Sequence, residues 1–222
     1  MELIMSFIAY LFKGISLGSV YSIIALGYTM VYGIAKMLNF AHGDVIMMGG
    51  FIIFTVTSTM GLNPLLAIFI SIIFCTILGV TIEGIAYRPL RKAPSLAVLI
   101  TAIGVSYFLQ NIALLIFKAD TRSFTSVVTV PALKLAGGRL IISGETLVTI
   151  PVTIVIMAGL ILFMKKSKTG RGMLAVSEDK DAAVLMGVNV NKTIAITFAI
   201  GSGLAAVASA LLFSAYPTLN TT

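Results

Sequence analysis

The sequence predicts an all-α integral membrane protein, a polytopic bundle of about six transmembrane helices, and three observations carry that prediction. Of the 222 residues, 59% are hydrophobic and only 10% charged, against roughly a quarter charged in ordinary soluble domains. Mean hydropathy is +1.09. The apolar residues fall into six runs, each close to the about 20 residues a helix needs to cross about 30 Å of hydrocarbon. The formal charge of +7 would suggest nucleic acid in a soluble domain. Here the cations sit in short clusters beside apolar runs, a pattern of membrane orientation, so membrane lipid and not nucleic acid is the expected surrounding.

The first run spans about 8 to 33. It follows MELIMSF, whose Glu2 and missing cleavage site make the N-terminus part of the span rather than a removed signal. Gly14, Gly18 and Ser22 recur at the four-residue spacing that lets helix backbones approach closely. GISLG also has the form of a nucleophile elbow around Ser16, but that device needs a strand-to-helix turn. The second run, about 40 to 60, opens on NFAHGD and is dense in glycine. It either crosses fully or is broken or re-entrant, since irregular backbone at membrane depth is tolerated only under protein or beside a cavity.

The third run, about 65 to 86, follows Asn63-Pro64 and ends in Glu83, close in sequence to Arg88, for which a salt bridge or snorkelling pair is expected. Gln110 and Asn111 interrupt the fourth, about 96 to 117, and are expected to hydrogen-bond between helices. The fifth and sixth cover about 146 to 164 and 194 to 215, the last with Gly201, Ala205 and Ser209 at packing intervals. Cys75, the one cysteine, lies in an apolar run and is expected to pack. Residues 1–222 therefore read as a single transmembrane domain.

Loop charge orients the bundle. YRPLRKAPS and KKSKTGRG are basic and acid-free, so both belong on the cytoplasmic side. The loop of about 118 to 145 between them is then external, with a Gly137-Gly138 hairpin signal between LKL and RLII. If every span crosses, Lys36 lies inside and the N-terminus outside.

Two stretches carry polar groups that need explaining. Asn39, His42, Gly43 and Asp44 stand together at the mouth of the second run. On an unbroken helix Asn39 and His42 share a face and Asp44 falls nearly opposite His42. Asn39 and Asp44 either cap helices at a membrane face or line the route of a polar solute, because intramembrane carboxylates rarely face lipid. One histidine and one cysteine do not make the usual zinc set, and no metal or cofactor is expected.

The second stretch is the inner loop of about 165 to 193. Ser177 is a fair N-cap, Glu178, Asp179 and Asp181 suit the positive end of a helix dipole, Ala182 and Ala183 follow, and Gly187 supplies a stop. A short helix on the cytoplasmic face follows, whose apolar side needs the bundle or a docking protein to cover it. No G-x-x-x-x-G-K-[ST] occurs, so a P-loop engine would have to come from another subunit.

GYTMVYGIAKMLNFAHGDVIMMGGF, AYRPLRKAPSLAVLITAIGVSYFLQN and the segment from TGRGMLAVSEDKDAAVLMGVNVNKT through SALL together resemble the inner-membrane permeases of high-affinity branched-chain amino-acid ABC transporters, the LivH-type family. The resemblance covers nearly the whole chain in order, and NFAHG is its most specific block. It implies two cytoplasmic ABC ATPase subunits, a paralogous permease subunit and an extracytoplasmic solute-binding protein, docking near Phe124 to Ile142. Asp181 to Gly187 looks like the ABC-permease loop motif that fits the ATPase cleft, although the I-x-L-P ending is missing. The resemblance further implies helices beyond Pro217, so a C-terminally shortened member is expected. Asn39, His42, Gly43 and Asp44 would lie near the route or its gate. The alternatives are an ion-coupled secondary transporter or passive channel using Asp44 or Glu83, and more distantly an intramembrane hydrolase using Ser16 and His42.

Overall fold

A computed structural model describes residues 2–119, 122–123, 126–128, 130–135 and 140–219. Helix α1 (Glu2–Ala35) is followed by α2 (His42–Phe54) with a π-helical extension Thr55–Thr59, then α3 (Pro64–Ile82), which continues through a π-turn Glu83–Tyr87 and a 3-10 turn Arg88–Leu90. Helix α4 (Ser95–Phe117) leads to short strands β1 (Arg122–Ser123), β2 (Leu133–Leu135) and β3 (Leu140–Ile142). Helices α5 (Gly144–Lys166), α6 (Lys168–Glu178), α7 (Lys180–Leu185) and α8 (Val190–Ala215) precede β4 (Thr218–Leu219).

Five of these helices are long and apolar enough to cross a membrane. The second segment is the exception. At 1.5 Å per residue its 13 α-helical residues reach only about 20 Å, and residues 36–41 before it are not helical. A Cβ placed on Gly27 would lie 3.0 Å from His42 Cε1 and 3.0 Å from the Gly201 carbonyl. Gly27 lies eight residues from the end of α1 and Gly201 eleven from the start of α8, so α2 begins about 12 to 16 Å inside the bundle. The expected alternative of a broken segment describes this geometry. Met37, Asn39 and Ala41 are buried, the condition under which irregular backbone survives at depth.

Helix α8 is the centre of the bundle and packs against α1, α2 and α3. Its small residues make that possible: Gly201 abuts Gly27, Ser202 abuts Gly79, and Ser209 abuts Gly49 beside Ser71 and Cys75. Cys75 is buried there, its thiol 3.6 Å from the Val45 carbonyl. The matching stripe of α1 does not pack within the chain, for Gly14, Gly18 and Ser22 are exposed.

The two basic loops meet at one end. Lys180 Nζ donates to the Ala35 carbonyl at 2.8 Å, and Arg91 joins Asn191 to Glu83. At the other end β2 and β3 form the expected antiparallel hairpin, Leu133 opposite Ile142, while β1 pairs with β4. Gly137-Gly138 and Phe124 lie outside the described residues.

Candidate functional site

The three polar residues around the start of α2, and Gly43 among them, are all placed by this broken geometry, but they diverge. Asn39 precedes the helix instead of sharing a face with His42, because the helix begins only at His42. Its side-chain carbonyl accepts a hydrogen bond of 3.0 Å from the Tyr87 hydroxyl. His42 turns to α1, its ring beside Gly27 and edge-on to Tyr28 at 6.1 Å. Asp44 turns to α4 and accepts from Gln110 Nε2 at 2.9 Å. The capping alternative is corrected: Ala41 occupies the N-cap position without a side-chain bond, and Asn39 and Asp44 tie α2 to neighbouring helices.

Gly43 and Asp44 of the four border a common cavity, about 420 Å³, lined also by Ile46, Met47, Leu212, Phe213 and Thr218. Gly43 is exposed and nothing lies within 4 Å of where its Cβ would be. The cavity thus joins one carboxylate to an apolar wall, a chemistry suited to a small solute with a cationic group and an aliphatic side chain.

At the basic end, α7 is capped at both ends. Asp179, not Ser177, is its N-cap, with Oδ1 accepting from the amides of Asp181 at 2.8 Å and Ala182 at 3.0 Å. Ser177 and Glu178 belong to α6, and the Ser177 hydroxyl bonds back to Leu174. Both Ser177 and Asp179 are good caps locally; where α6 stops decides between them. Gly187 ends the helix at φ +82°, with its amide on Val184 and the Val188 amide on Ala183, both 2.9 Å, the Schellman arrangement glycine permits. Ala183 is buried, whereas Leu185 and Met186 are 88% and 83% exposed. A rigid, capped helix therefore holds an apolar tip away from its own bundle.

Other side chains differ from expectation in their partners. Glu83 pairs with Arg91 rather than Arg88, because the 3-10 turn carries Arg91 back over the π-turn. Gln110 bonds between helices, but Asn111 bonds to Tyr107 of its own helix at 2.7 Å. Ser16 and the His42 neighbour Gly27 are eleven residues apart on one continuous helix, about 16 Å, so no Ser-His pair forms. Among the described residues, no three His, Cys, Asp or Glu side chains converge as a metal site. Tyr87 and Lys180 were not legible as site-positioning residues; their partners lie 48 and 145 residues away.

An α-helical membrane bundle with a buried second helix too short to cross by itself, an amphipathic cavity and a short helix with an exposed apolar tip defines a transport subunit, multi-pass in the inner membrane. The chain belongs to the family described as the branched-chain amino acid transport system permease component, which it matches over residues 10–221. It is 42% identical over 226 residues to the high-affinity branched-chain amino acid transport system permease protein BraD of Pseudomonas aeruginosa, covering 96% of this chain and 73% of that protein. The corresponding LivH proteins of Salmonella typhimurium and Escherichia coli are 38% and 37% identical over 229 residues, covering 99% of this chain and 74% of theirs. No solved structure shows a significant match.

Proposed function

We propose that residues 1–222 act as one permease domain of an ABC importer that moves branched-chain or related amino acids inward without chemical change. The permease pairs with a paralogous permease, two cytoplasmic ATPases supply the energy, and an extracytoplasmic binding protein delivers the solute. The observation that carries this reading is α7, whose capped ends and exposed Leu185 and Met186 suit a partner that pushes from the cytosol. Gly43 and Asp44 border the route, while Asn39 and His42 hold the broken start of α2 in place and so belong to its gate. Binding at either face biases a bundle with two arrangements.

Proteoliposomes holding the assembled complex test it. Leucine uptake is expected to require ATP and to survive collapse of ion gradients. Gly187→Pro, which cannot adopt φ +82° and lacks the amide that bonds Val184, is expected to insert normally while ATP turnover loses its link to uptake. Uptake without ATP that follows an ion gradient, or a native complex lacking any ATPase, would overturn the proposal.

A further inference from the structure

At the basic end, bordering α7, a cavity of about 460 Å³ lies between the end of α1, the turn into α4 and the start of α7. Lys36, Arg91 and Lys180 line it, three cations that only the fold brings together. Glu83 engages Arg91 and offsets one of the three charges. Tyr32, Leu96 and Leu99 add an apolar wall, of which Tyr32 and Leu96 are exposed at the bundle surface.

Hydrogen-bonding capacity remains open around the cavity. Lys180 donates one bond, to Ala35, of the three an ammonium can make. Arg91 Nε is buried without a partner. Helix α4 starts at Ser95 with no side-chain cap, and Ser95 and Leu96 line the same cavity, adding the positive end of a helix dipole. Burial, followed by the charges of Arg91 and Lys36, holds the Lys180 pKa below the usual lysine value. The cluster repels itself, and an anion relieves that repulsion.

We infer that this cavity binds a phosphate group, supplied by an anionic phospholipid whose head sits among Lys36, Arg91 and Lys180 while its chains follow Tyr32, Leu96 and Leu99. Basic pockets between helices at the cytoplasmic face recognise lipid headgroups in this way. Lys180 opens α7 and already bonds the end of α1, so a bound headgroup strengthens the attachment of α7 to the bundle.

The test uses the full chain purified with its accompanying subunits, in phosphatidylcholine nanodiscs titrated with fluorescent phosphatidylglycerol. Saturable binding is expected, weakened about 30-fold by Lys36→Gln with Lys180→Gln, at about fivefold per lysine. Lys165→Gln with Lys166→Gln removes two cations at the end of α5, outside the cavity, and is expected to leave binding unchanged. Labelling of buried Cys75 checks folding; if the cavity pair fails that check, Lys36→Gln alone, at an exposed position, is expected to lose about fivefold. Equal loss in both pairs, or no loss in the cavity pair, would overturn the site. Displacement of the lipid by inorganic phosphate, itself dependent on Lys36 and Lys180, would keep a phosphate site and overturn the lipid as its source.

Discussion

Gly79→Ala places a methyl group in the close contact between α3 and α8. A Cβ at position 79 would lie 1.9 Å from Ser202 Oγ, 2.6 Å from Ser202 Cβ and 3.2 Å from the Phe198 carbonyl oxygen. Rotating the serine hydroxyl relieves the first contact but not the others. Carbon atoms settle at about 3.5 to 4.0 Å, so α3 and α8 have to part by about 1 Å. A helix displacement of this size takes the upper part of the overpacking range, about 2 to 3 kcal/mol, and alanine's better helix propensity returns about 1 kcal/mol, for a net cost of about 1 to 2 kcal/mol. At about 2 to 4 °C per kcal/mol for a chain of this size, the melting midpoint is expected to fall by about 2 to 8 °C. Cys75, the one cysteine and fully buried in α3, makes a fluorogenic thiol reagent a direct reporter of unfolding. Ser202→Gly removes the two nearest of the three offending atoms, so the double variant is expected to melt higher than additivity predicts. An unchanged midpoint in Gly79→Ala, or strict additivity in the double variant, would refute the packing argument.

Further outcomes follow from the same contacts. Tyr87→Phe leaves the buried Asn39 carbonyl unpaired and is expected to destabilise by about 1 to 3 kcal/mol, read by the same thiol assay. Asp44→Asn keeps an acceptor for Gln110 but loses the charge, so uptake is expected to fall at least about tenfold, roughly one lost ionic contact, with little change in the midpoint. Asp179→Ala removes the α7 cap at a cost of about 1 kcal/mol, and ATP-coupled uptake is expected to drop while the bundle midpoint holds. Leu185→Asp, at a side chain 88% exposed, is expected to leave folding intact and to abolish copurification of the ATPase.

The sequence by itself determined five of the spans, the loops that carry the cations and the stop of α7 at Gly187. Those depend on hydropathy along the chain, on loop charge and on local turn chemistry, as at Gly187, and lipid as solvent imposes them one segment at a time. It also marked Asn39, His42 and Asp44 as polar groups needing cover, with Gly43 among them, because their cost in lipid is local. Only the tertiary structure decided where that cover comes from. The depth at which α2 begins is set by glycines of α1 and α8 meeting around His42, and the partners of Asp44 and Glu83 by which helices those contacts bring alongside. The cations at 36, 91 and 180 share one cavity for the same reason. Lateral packing between helices rests on close van der Waals fit between segments far apart in the chain, and periodicity within one segment carries no record of the segment it will touch.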